Sequence, residues 1–290
     1  MSACAITDHG TMSGVIHFYK ACKEAGIKPI LGMEAYITRD VDDLPNEKKT
    51  RDNRHLVLLA VDEDGFHNLI WLNNQAHLHN FYYNPRVFIN HLADHNKGLI
   101  AMSACLAGVM AKKAVYKGEE LEQPGGIWDS SNKAYTDPQE VNLEWGRQVA
   151  NCFPERFYAE IQLHPNWQQE VYNHYAQMIA FENDWPLVLT TDAHYTQLED
   201  LATHQLLMAQ QFGKTIEEYK QNDEFNCLNY IREPDELYRA AVEKGLERAF
   251  WNTREIADKC NLEIKLGKYQ TPTFDITRCA DYEEFNRVIE

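Results

Sequence analysis

Short apolar runs alternate with stretches of helical period from the first residues to Tyr195. Cys4 to Thr7 reads as a core strand ending in Asp8-His9-Gly10, and Met12 to Glu24 follows as a helix with Val15, Phe18, Tyr19 and Cys22 on one face and Gly26 beyond its end. Pro29 to Ile37 is the next strand, with a lone Glu34 among apolar residues. After a polar, charged stretch from Arg39 to Arg54 comes the strand His55 to Ala60, then a helix from Glu63 to His79 and a short helix from Arg86 to Asp94. Gly98 to Cys105 is a further strand, followed by an aperiodic stretch from Lys117 to Pro138 that reads as a surface loop or insertion. A helix (Glu140 to Cys152), a strand (Arg156 to His164) and a long helix (Trp167 to Asn183) lead to Pro186-Leu-Val-Leu-Thr-Thr-Asp-Ala-His-Tyr195. In that last run Leu187 to Leu189 reads as a strand buried on both faces, as in a parallel sheet covered by helices.

Strand-helix alternation of this kind predicts an α/β fold, with helices covering the strands of a barrel or an open sheet. One strand needs a different direction. His55 opens its strand, so a parallel strand would carry it to the wrong end of the sheet; an antiparallel pair with the Glu34 strand returns it to the end where the other polar residues collect. Asp192 and His194, two apart on an extended backbone, point to one side. After His194 the pattern turns helical (Asp200 to Phe212, Pro234 to Cys260) and then extended (Leu262 to Phe274), which divides the chain into residues 1–200 and a connector, 201–290.

Composition narrows the chemistry. At 290 residues the chain can bury a large core, and its net charge of −16 opposes gripping nucleic acid by bulk electrostatics, so any DNA contact is local, metal-assisted or supplied from elsewhere. Seven cysteines without a C-x-x-C pair fit a reducing cytoplasm rather than a disulfide framework. No apolar run approaches the roughly 20 residues of a membrane span.

His9, Glu34, His55, Cys105, Asp192 and His194 fall at or beside the ends of separate predicted strands. Imidazole, carboxylate and one thiol together suit zinc, manganese or iron better than calcium. A multinuclear site of that kind polarises phosphate and activates water, so phosphoester hydrolysis is the natural reaction class. On the residues alone other readings stay open: a water-facing edge Glu34, a small buried Cys105, a satisfied structural His194. His77-x-His79 is weaker, because i and i+2 on a helix do not share a face.

Six segments stand out in order: Ala5-Ile-Thr-Asp-His-Gly10 through Lys20, Gly26-Ile-Lys-Pro-Ile-Leu-Gly32-x-Glu34-x-Tyr36, His55 to Ala60, Gly98 to Gly108, Thr191-Asp-x-His-Tyr195, and Asn252-Thr253 to Leu266-Gly-Lys-Tyr269. In them the chain resembles the PHP (polymerase and histidinol phosphatase) domains of bacterial DNA polymerase III alpha subunits. The resemblance implies a distorted seven-stranded TIM-like β/α barrel with metals at one mouth. The ligands would be His9, Glu34, His55, Cys105, Asp192 and His194, with Asp192 and His194 also catalytic. It further implies zinc or manganese, with iron or magnesium as further options, and 3′–5′ exonuclease (proofreading) chemistry; a free-standing phosphatase and a non-catalytic docking scaffold are the alternatives. DNA, a sliding clamp, an exonuclease subunit and a clamp loader would be partners of the parent polymerase. In that family a His-x-His strand and another acid precede the Asp8-His9 motif, and a palm domain follows. Neither is in this sequence, so the expectation is a piece of a replicase that by itself holds metal weakly or incompletely.

Overall fold

The computed structural model describes residues 1–39, 53–111, 127–129, 134–136, 138–221 and 227–267. The first strand, β1 (Ala3–Ile6), leads to helix α1 (Val15–Glu24), which ends before Gly26, at φ +69°. Then come β2 (Lys28–Thr38), β3 (Arg54–Ala60) and α2 (Glu63–Leu78), whose Asp62 carboxylate accepts from Gly65 N and so satisfies one of the free amides of the first turn. They are followed by β4 (Arg86–Phe88), α3 (Ile89–Asp94), β5 (Leu99–Met102), a small hairpin of β6 (Ile127–Asp129) and β7 (Ala134–Thr136), and α4 (Pro138–Cys152). Next are β8 (Phe157–Gln162), α5 (Trp167–Glu182), capped by the Asn166 side chain, and β9 (Leu187–Thr190). The remaining helices are α6 (Leu201–Gln211), α7 (Ile216–Tyr219), α8 (Pro234–Glu243) and α9 (Glu247–Lys259).

Seven strands form one curled sheet in the order β1-β2-β3-β5-β8-β9, with β4 on the edge of β2. The β1–β2, β5–β8 and β8–β9 pairs are parallel, whereas β3 runs antiparallel to both its neighbours. Tyr36 therefore stands opposite His55, at the same end of the sheet as the exits of β1, β5, β8 and β9. This is the antiparallel pair expected from the position of His55, within the TIM-like α/β architecture expected of the chain.

Alternation along the strands sorts side chains into two layers. Leu31, Met33, Ala35, Leu56, Leu58, Ala101, Ala159 and Leu189 pack outward into the large core shared with the helices. Ile30, Val57, Leu59, Met102, Tyr158 and Val188 form a smaller cluster on the inner face, joined by Ile256 of α9 and by Cys260 just beyond its end. Burial of each such aliphatic side chain stabilises by roughly 1.5–3 kcal/mol. α9 is also tied to β9 by Asn252, whose Nδ2 donates to Leu187 O at 2.6 Å.

Three elements depart from the sequence reading. Arg86 to Asp94 is not one helix: Arg86–Phe88 is a strand, because β2 outruns β1 and leaves backbone groups at Tyr36–Thr38 for β4 to satisfy. Pro234 to Cys260 is two helices, divided at Gly245, which has φ +69°. The aperiodic stretch before α4 contains the β6–β7 hairpin; the rest of 117–137, the loop at 40–52 and the extended run after Gly267 lie outside the described residues.

Candidate metal centre

The inner face changes from apolar to polar within one rung of the sheet. Val57 is paired with Glu34 and with Met102, and Met102 with Tyr158. Two residues nearer the mouth on the same face stand His55 above Val57 and Glu160 above Tyr158.

His9 reaches this mouth from the turn after β1. A parallel bridge joins His9 to Glu34, with Gly10 N donating to Glu34 O at 2.8 Å and Glu34 N to Asp8 O at 3.1 Å. Gly10 is required there: its φ is +61°, and a Cβ would lie 2.7 Å from Pro85 Cγ and 2.9 Å from Tyr36 Cε2. Glu34 is 5% exposed, and its Oε1 contacts His55 Nδ1 closely and His9 Nδ1 at 3.7 Å. The ligand atoms of His9, Glu34 and His55 all lie within 4.8 Å of one another. Cys105 follows β5 after Ala104, whose φ is +61°, and its Sγ is 3.7 Å from His55 Nδ1 and 3.9 Å from Glu34 Oε1.

Asp192 and His194 complete the gathering by a route other than strand alternation. β9 ends at Thr190 and Asp192 has φ +45°, so the backbone is not extended between the two residues. The turn brings His194 Nδ1 to 2.8 Å from Asp192 O and 3.9 Å from its Oδ1. Asn229 clamps it, accepting from His194 N at 2.7 Å and donating from Nδ2 to Asp192 O at 2.9 Å. The His194 ring centroid is then 5.9 Å from that of His9. All six residues selected from the sequence thus collect at one end of the sheet. His77 does not join them; its Nε2 pairs with Gly10 O at 2.8 Å.

Electrostatics favour positive charge here. Burial pushes the Glu34 carboxyl up, but its hydrogen bond to His55 and the potentials of His55, His9 and His194 outweigh this and hold it below the usual range. Burial, with the charges of Asp192 and Glu34, pushes the Cys105 thiol well up, so a thiolate there needs a cation beside it. Burial lowers the His9 pKa, keeping a neutral imidazole, the form that ligates metal.

Two buried polar groups at the mouth were not singled out in the sequence. Glu160 is 3% exposed, with its pKa pushed up to about 7 by burial first and then by the field of Asp192. His164 is buried with no hydrogen-bond partner for either ring nitrogen, and burial, Arg232 and His194 push its pKa down to about 4. Glu160 had a legible signal, a lone acid on an apolar strand as at Glu34; His164 had none.

A family profile described as the PHP domain matches residues 1–164. The chain belongs to the PHP domain family. Among curated proteins it is similar to the DNA polymerase III subunit alpha of Helicobacter pylori strain 26695, at 35% identity over 94% of this chain and 22% of that protein. It is similar also to those of Aquifex aeolicus (33% identity, 98% of this chain, 24% of that protein) and Deinococcus radiodurans (32%, 99% and 20%). This PHP chain therefore spans under a quarter of the length of these relatives. Among its described residues no helix is long and apolar enough to cross a membrane.

Proposed function

We propose that this chain is the PHP module of a replicative DNA polymerase III alpha subunit, and that its mouth binds divalent cations and hydrolyses phosphodiester bonds in the manner of a 3′–5′ exonuclease. The observation that carries the reading is the convergence of His9, Glu34 and His55 within 4.8 Å on the inner face. The donor set fits a cation: a depressed carboxylate, a neutral imidazole and a thiol whose ionisation is opposed first by burial and then by Asp192 and Glu34, so that a cation beside it would favour the ligating thiolate. His9, Glu34, His55, Cys105, Asp192 and His194 would hold it, with zinc or manganese best matched to their mixture. Such cations would neutralise phosphate charge and make water more acidic.

The chain's own groups have separable tasks. Glu34 accepts from His55 Nδ1 and fixes that ring. His194 Nδ1 donates to Asp192 O, which leaves Nε2 as the lone-pair nitrogen, able to ligate or to take a proton from water at this half-exposed edge. Similarity over 94–99% of the chain to polymerase alpha subunits favours the polymerase module over a free-standing phosphatase. DNA would then reach the site through the parent polymerase in the cytoplasm, alongside a sliding clamp, clamp loader and exonuclease subunit.

The test measures metal content by mass spectrometry and exonuclease activity on a 3′-labelled primer, in the parent polymerase free of other nucleases. Glu34→Gln and His55→Ala should lose metal, and Asp192→Asn or His194→Ala should abolish nuclease activity while DNA synthesis persists. Metal-free wild-type protein, or nuclease activity unchanged in the variants, refutes the assignment; the first outcome leaves a docking scaffold.

A further inference from the structure

Glu160 is the acid at this mouth that the proposed ligand set leaves unused. It shares its face of β8 with Tyr158, a member of the inner cluster, and stands one rung nearer the mouth. Its surroundings are built on one side only. Oε1 accepts from Thr190 Oγ1 at 2.5 Å and from Gln162 Nε2 at 3.1 Å, while its backbone N donates to Ser103 Oγ at 2.8 Å. Oε2 is fully buried and has no hydrogen-bond partner. Buried polar atoms are partnered in the great majority of cases, and a buried carboxylate oxygen without a partner is costly. The charges felt by this carboxyl include Asp192 and Glu34, and it in turn acts on Cys105. Three proposed ligands, Glu34 on β2, Cys105 beyond the end of β5 and Asp192 beyond the end of β9, therefore interact with it electrostatically, and a cation would offset the mutual repulsion of these three carboxylates and one thiol. A carboxylate whose one oxygen is held by two donors and whose other is free has the form of a monodentate metal ligand, since ligating carboxylates are themselves hydrogen-bonded.

We propose that Glu160 is a further oxygen ligand of the cation centre, giving Oε2 to a divalent cation held on the inner face with Glu34, Cys105 and Asp192. The inference rests on the cation reading of the same mouth. Glu160→Gln is the deciding variant, because its amide oxygen still accepts from Thr190 and Gln162 while its NH2 cannot ligate.

Binding of Mn²⁺ to the parent polymerase is measured by the loss of the free-ion electron paramagnetic resonance signal, with circular dichroism of the metal-free protein as the check on folding. Glu160→Gln is expected to lose one cation per chain or to bind Mn²⁺ at least tenfold more weakly with an unchanged metal-free spectrum. Thr190→Val, which removes a donor to Oε1, is expected to weaken binding by a smaller factor and serves if Glu160→Gln fails to fold. Wild-type affinity and stoichiometry in Glu160→Gln, or in Thr190→Val where that variant stands in, overturn the inference and leave the six-residue centre intact. Absence of Mn²⁺ binding by wild-type protein, with Zn²⁺ equally unbound, overturns both.

Discussion

Alanine at Gly108 tests how the Cys105 turn is held. Gly108 N donates to Cys105 O at 2.8 Å, and the segment is stitched to β3 by His55 N to Ala107 O at 2.9 Å and Val109 N to His55 O at 3.0 Å. A Cβ on Gly108 would lie 2.0 Å from Ser103 O and 2.8 Å from Cys105 O, more than 1 Å inside the 3.4 Å of ordinary contact at the first. Both obstacles are backbone, so no side chain can swing away. Relief requires the 103–108 turn to part from β3, giving up hydrogen bonds worth about 1 kcal/mol each, or to stay and bear overpacking of about 1–3 kcal/mol. The expected loss is about 2–4 kcal/mol in urea unfolding followed by circular dichroism. Gly213→Ala is the comparator: φ there is +63° with nothing within 4 Å of a Cβ, so it bears only the left-handed penalty of about 1–2 kcal/mol. A Gly108→Ala loss under 1 kcal/mol, with an unchanged m-value, would refute the close-approach reasoning.

Two further outcomes follow from buried polar groups. His164 has a folded pKa near 4 against an ordinary 6.5, so the unfolded chain binds the extra proton between those values; stability is unaffected above pH 6.5 and falls by about 3 kcal/mol as pH drops toward 4. Urea midpoints across that window should flatten in His164→Leu, and an identical slope in the variant would show the group to be irrelevant. Arg54, 1% exposed, lies 4.6 Å over the Trp145 ring and donates Nη1 to Val109 O at 3.0 Å and to Asn142. Arg54→Lys keeps the charge but loses the planar fork, and should cost about 2–4 kcal/mol by thermal or urea unfolding; a change within about 0.5 kcal/mol would contradict the role assigned to that fork.

Much of the architecture was legible because it depends on local pattern. Two-faced apolar runs such as Leu56 to Leu59 must be covered on both sides, and the helical period of Val15, Tyr19 and Cys22 gives the cover. The direction of β3 followed from where His55 had to be. The β4 strand was not legible, since Arg86 to Phe88 becomes a strand only because β2 outruns β1. Nor was the path by which His194 approaches His9, which turns on the left-handed Asp192 and a clamp from Asn229, 37 residues away along the chain from Asp192.

The sequence by itself determined which polar residues fall at or beside strand ends, because periodicity and the cost of burying a carboxylate or imidazole are properties of the residues themselves. Only the tertiary structure decided which buried polar atoms find partners. Glu160 meets Ser103, just past β5, and Thr190, at the end of β9, 57 and 30 residues away, and leaves Oε2 unmatched, whereas Arg54 is enclosed by Val109, Asn142 and Trp145. Hydrogen bonding is short-ranged and directional, so that outcome is settled by the register of neighbouring strands and not by local sequence.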